Sequence, residues 1–108
     1  MHIEFRFQNT DFAEVLKGYI ERRLRFALGR FGDRVEQVTV RISGKVNEYE
    51  CRIIADLRPF GRVIVEETDV DLFSAVDRAA GRLGRLFGRK LQRLRALRRS
   101  HASLRMAA

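Results

Sequence analysis

The chain predicts an α+β layer of order β-α-β-β-β-α, with a mainly antiparallel four-stranded sheet and two helices packed on one face. Three observations carry this. Four runs alternate apolar and polar residues at period two, and a helical-period stretch follows the first run while another follows the last. A Pro-Gly interruption also splits the two final runs.

The first strand is Ile3, Phe5 and Phe7 alternating with His2, Glu4 and Arg6. Asn9-Thr10-Asp11 turns the chain, and Asp11 with Glu14 has the spacing of a capping box that opens a helix. Phe12, Val15, Leu16, Tyr19, Ile20, Leu24, Ala27, Leu28 and Phe31 recur at helical spacing, and Gly29 and Gly32-Asp33 mark the end. Val38, Val40 and Ile42 form the second strand, and Ser43-Gly44-Lys45 with Asn47 supplies loop chemistry. Tyr49, Cys51, Ile53, Ala55 and Leu57 form the third. Arg58-Pro59-Phe60-Gly61 makes a hairpin turn, and Val63-Ile64-Val65 is the fourth. Thr68 or Asp69 begins the last helix, whose apolar positions are Leu72, Phe73, Val76, Ala79, Ala80, Leu83, Phe87, Leu91 and Leu94. Residues 1–99 form one domain, and residues 100–108, without a convincing apolar face, are expected to be a frayed, disordered tail.

Charge is the most telling feature. From Arg78 onward the chain has ten Arg or Lys residues and no acid; the whole protein carries +8, so residues 1–77 carry −2. A one-signed field confined to one segment attracts a polyanion. At about 100° per residue, Arg78, Arg82, Arg85, Arg89 and Arg93 fall within about an 80° arc, and the core positions centre about 130° away. A face made only soluble by charge usually mixes signs and pairs Glu with Lys. Aligned guanidinium groups suit bidentate phosphate contacts instead. A membrane surface is disfavoured because the sheet needs the helix's apolar face. Lys90 adds to the basic segment, and Lys17, Arg22, Arg23, Arg25 and Arg30 add a share from the first helix, diluted by Glu14 and Glu21. Gly81, Gly84 and Gly88 form a further stripe. They permit close approach of the first helix or of RNA, or are weaknesses tolerated by packing.

Chemistry for catalysis is missing. His2 and His101 stand at opposite ends, Cys51 is alone on the inward phase of its strand, and no phosphate-cradling glycine loop occurs. Asp69, Asp71 and Asp77 cluster at a helix N-terminus, where negative charge complements the helix dipole, and Glu66-Glu67 reads as an exposed strand end. The expectation is a non-enzyme without metal or cofactor. With one cysteine, no secretory signal and no apolar run near ~20 residues, it is expected to be cytoplasmic.

Tyr19-Ile20-Glu21-Arg22-Arg23-Leu24 and Asp69-Val70-Asp71-Leu72-Phe73-Ser74-Ala75-Val76-Asp77, in this element order, resemble the ribosome hibernation factor family, also known as sigma-54 modulation proteins. The likeness runs from Ile3 to about Arg93 and is to the short form. It departs at Phe7-Gln8-Asn9, where many members have Gly-Arg-Asn, and at Phe26, where a basic residue is frequent. The resemblance implies a fold similar to a double-stranded RNA-binding domain. It also implies binding to the small ribosomal subunit and its rRNA in the mRNA and tRNA channel, inhibiting translation and promoting hibernation. It points to Arg22, Arg23, Arg82, Arg85, Arg89 and Arg93 as rRNA contacts. A general binder of structured or double-stranded RNA is the alternative, and a modulator of sigma-54 transcription ranks below both.

Overall fold

The computed structural model describes residues 1–10 and 13–107, and side chains for residues 1–10 and 14–101. Strand β1 (His2–Gln8) leads to helix α1 (Ala13–Leu28) and a 3-10 helix (Gly29–Arg34). Strands β2 (Val35–Lys45), β3 (Glu48–Leu57) and β4 (Gly61–Asp69) precede helix α2 (Leu72–Ala107). The sheet order is β1-β2-β3-β4. β1 runs parallel to β2, as a strand-helix-strand crossover requires, whereas the two hairpins make β2-β3 and β3-β4 antiparallel. The expected α+β layer is present, with a mixed sheet.

Alternation decides what the sheet buries. Val38, Val40, Ile42, Cys51, Ile53, Ala55, Leu57, Val63 and Val65 share one face and form a single core with Leu16, Ile20, Leu24 and Leu28 of α1 and with Ala75, Val76, Ala79, Ala80, Leu83 and Phe87 of α2. Both helices therefore lie on that face. Phe87 meets Phe31 edge to face at 5.5 Å, closing the core at one end.

Four local expectations change. Ser43–Lys45 belong to β2 rather than to a loop, because their backbone pairs with Glu48–Glu50; the turn is Val46-Asn47, with Asn47 at φ 63°. Helix α2 starts at Leu72, after β4 has run on through Asp69. Asp71 caps it, accepting from the Ser74 N–H at 3.2 Å and from the Ser74 hydroxyl at 2.8 Å. Val15, placed in the core stripe by spacing, is 69% exposed. Helix α2 also continues through residues 100–107, where fraying was expected. That stretch holds no Gly or Pro to stop the helix. The Asp11 capping box and the apolar position of Phe12 lie outside the described residues.

Candidate nucleic-acid interface

Thirty-six residues make α2 about 54 Å long, and the molecule is 62 Å in its longest dimension. The helix is therefore longer than the body it packs on. Phe87 is its last fully buried residue, Leu91 and Leu94 are half-buried, and Arg95–His101 are all exposed. Past Leu94 the helix is an arm that the sheet does not support.

The arginine stripe divides where the sheet ends. Glu67 and Asp69 continue the inward phase of Val63 and Val65 on the edge strand β4, so they face the flank of α2. Arg78 pairs with Glu67 at 3.6 Å and with Asp69 at 3.4 Å, and Arg82 pairs with Glu67 at 3.5 Å. Glu67 is thus not the exposed strand end expected, but the anchor of two stripe arginines. Arg85, Arg89 and Arg93 lie past the reach of β4 and form no ion pair among the described residues, and Arg95, Arg98 and Arg99 form none either. Lys90 stands away from the stripe, half-buried with its ammonium 5.7 Å from the Phe60 ring.

One of the three α2 glycines, Gly84, lets the α1 backbone come close. A Cβ at Gly84 would lie 3.2 Å from the Ala27 carbonyl oxygen, so α1 crosses at near backbone contact. A Cβ at Gly88 would lie 2.6 Å from Arg30 Nη2, so this guanidinium occupies the space a side chain would take. Of the two readings of the stripe, close approach of the first helix is the one present. Arg30 donates to the Gly84 carbonyl at 3.5 Å and stacks 4.8 Å from the Phe31 ring. With Gln92 and Arg95 it lines a cleft of about 150 Å³ that also touches Phe31, Gly88 and Leu91. Every polar side chain there is a hydrogen-bond donor or an amide, and no carboxylate lines it.

On α1 the candidate residues separate. Arg22 is exposed and forms no ion pair among the described residues. Arg25 pairs with Glu21 at 2.8 Å. Arg23 turns toward α2, pairing with Asp77 at 3.3 Å. Asp77 also accepts the Tyr19 hydroxyl, and this bond is the leading cause that raises the Tyr19 pKa above its usual value. Asp77 therefore ties the two helices together, rather than serving the helix dipole as expected. Among the described residues the cations without an ion pair therefore include Arg22 and Arg30 as well as Arg85, Arg89, Arg93 and the arginines of the arm. Sequence reasoning counted Arg30 and Arg95 among the basic residues but did not single them out as RNA contacts. The signal for Arg30 was the Gly88 position, whose missing side chain leaves room for its guanidinium.

A further hollow, about 400 Å³, lies on the open face of the sheet between Arg6, Arg41, Glu50 and Arg52. Its charge is mixed and largely paired within the fold: Arg6 with Glu4 at 2.7 Å, Lys45 with Glu50 at 2.6 Å and Arg52 with Glu66 at 4.0 Å. Among the described residues no group of three His, Cys, Asp or Glu side chains is placed to hold a metal. Burial pushes the Cys51 thiol up to about 12, so it is a core residue rather than a nucleophile. Among the described residues no helix is long and apolar enough to cross a membrane.

Fold and surface together describe a βαβββα protein whose second helix outgrows its sheet as a one-signed arginine arm. Residues 3–95 match the family described as sigma 54 modulation protein / S30EA ribosomal protein, and the chain belongs to that family. The Thermus thermophilus Protein Y N-terminal domain superposes with a TM-score of 0.72 at 33% identity, covering 82% of this chain and 98% of that one. A ribosomal subunit interface protein from Coxiella burnetii shares the fold, with a TM-score of 0.73 at 17% identity over 85% of this chain and 99% of that one. No curated protein sequence matches the chain significantly.

Proposed function

We propose that this protein is a non-enzymatic binder of small-subunit ribosomal RNA that occupies the mRNA and tRNA channel and holds the ribosome idle, acting in the cytoplasm. The observation that carries the reading is the unpaired run Arg85, Arg89 and Arg93 on a rigid helix, continued by Arg95, Arg98 and Arg99 with no acid between them. Like charges repel along a helix, and a phosphate backbone offsets that repulsion while releasing its own counterions. Membership of a family whose description includes a ribosomal protein, and the likeness to a subunit interface protein, support the ribosome as the source of that RNA. Inhibition follows from occupancy: the arginines anchor, and the sheet body fills space that mRNA or tRNA needs.

The test is co-sedimentation with purified small subunits across a salt series, with and without excess duplex RNA. Association should fall by orders of magnitude between low and moderate salt and should survive the competitor. Association that ignores salt, or none at low salt, overturns the reading. Release by duplex RNA would instead favour a general RNA-binding module.

A further inference from the structure

We propose that Phe26 is a stacking platform for one unpaired nucleobase. This rests on the protein being an RNA binder and adds a base contact to what is otherwise phosphate recognition. Phe26 is 85% exposed, the highest exposure of any aromatic side chain among the described residues. The fold has no use for it: Leu24 and Leu28 anchor this part of α1, and Ala27 makes the approach to Gly84.

Its surroundings are cationic. Arg22 stands one helical turn before it on α1, and the Arg23 guanidinium carbon lies 5.7 Å from the ring centroid, leaving the rest of the ring open. The carboxylates paired on this helix are taken up, Asp77 by Arg23 and Glu21 by Arg25, and Arg22 forms no ion pair among the described residues. An apolar protein partner would need a contiguous greasy patch. The next exposed large apolar residue on α1, Val15, lies eleven positions away, about 16 Å along the axis. A lone π surface beside positive charge instead fits a ligand that offers a flat ring beside phosphates. Duplex RNA keeps its base faces stacked inside, so the ligand is a base in a loop, a bulge or a single strand.

The chain contains no Trp, so Phe26→Trp installs a sole indole reporter at the proposed contact. The assay titrates purified small subunits, and separately an unstructured oligoadenylate, into wild type, Phe26→Trp, Phe26→Leu and Phe26→Ala. Phe26→Trp should bind as wild type with its emission quenched. Phe26→Leu and Phe26→Ala should each lose about 5- to 150-fold in affinity, with unchanged salt slope and unchanged melting temperature. Wild-type affinity in Phe26→Ala, or unquenched emission in bound Phe26→Trp, overturns the inference. Wild-type affinity in Phe26→Leu overturns it in favour of a plain apolar contact. Failure of the wild-type protein to bind subunits at all sinks the function reading itself, a result distinct from these.

Discussion

The two halves of α2 carry the same residue type at the same spacing and hold it in opposite electrostatic states. Beside the sheet, Arg78 and Arg82 meet Glu67 and Asp69 of β4. Beyond it, Arg85, Arg89 and Arg93 meet no carboxylate among the described residues. The first half uses arginine to fasten a helix flank to an edge strand, and also covers that strand's inward acids. The second half leaves its arginines open to an external anion. A stripe that looks uniform on a helical wheel is two devices joined end to end.

The sharpest way to break this contrast is through the core. Phe87 is the last fully buried residue of α2, so Phe87→Ala should destabilise by about 3–5 kcal/mol, measured by urea unfolding. Leu97→Ala, at a site 68% exposed, should shift stability by less than about 0.5 kcal/mol. Equal costs would mean that the arm is packed against something. Next, Arg85, Arg89 and Arg93 replaced together by Ala should lower the slope of log affinity against log salt by about two to three and cut subunit affinity at least about 100-fold, with the melt unchanged. The same treatment of Arg78 and Arg82 should cost much less binding.

The glycine stripe gives a smaller, signed test. Gly84→Ala pushes a methyl at the Ala27 carbonyl oxygen of the crossing helix, and should destabilise by about 1 kcal/mol after the gain in helix propensity is counted. Gly88→Ala meets only the movable tip of Arg30, and should stabilise by a few tenths of a kcal/mol up to about 1. Thermal melts of the pair should therefore move in opposite directions. Smallest of all, Glu67→Gln should change stability by less than about 1 kcal/mol, because its partners are half or more exposed. It should nonetheless tighten subunit binding by freeing Arg82, while Arg78 keeps its pair with Asp69. Unaltered binding would show that the paired half has no access to the ligand.

Much of the fold was legible in the residues. Alternation placed Cys51, Ile53, Ala55, Val63 and Val65 on the buried face, and helical spacing separated Leu83 and Phe87 from the arginines. The neutralised half was less visible, although its signal existed: Glu67 is two residues beyond Val65 and so must share its face. The charge count alone treated all five stripe arginines alike, because an ion pair between a strand and a helix depends on how far the sheet extends beneath the helix. Val15 was misplaced for a related reason. A helix lying across a sheet and a second helix buries only part of the stripe that spacing allows.

The reach of α2 past its sheet has a further consequence for folding. Its distal turns inherit their order from the packed segment, since starting a helix anew is costly and extending one is not. Those turns crowd cations on themselves, which opposes winding. A polyanion laid alongside removes that opposition, so ligand capture and the winding of the last turns are one coupled equilibrium. Circular dichroism should show helix content rising on binding, and rising least at high ionic strength, where dissolved ions already do part of the same job.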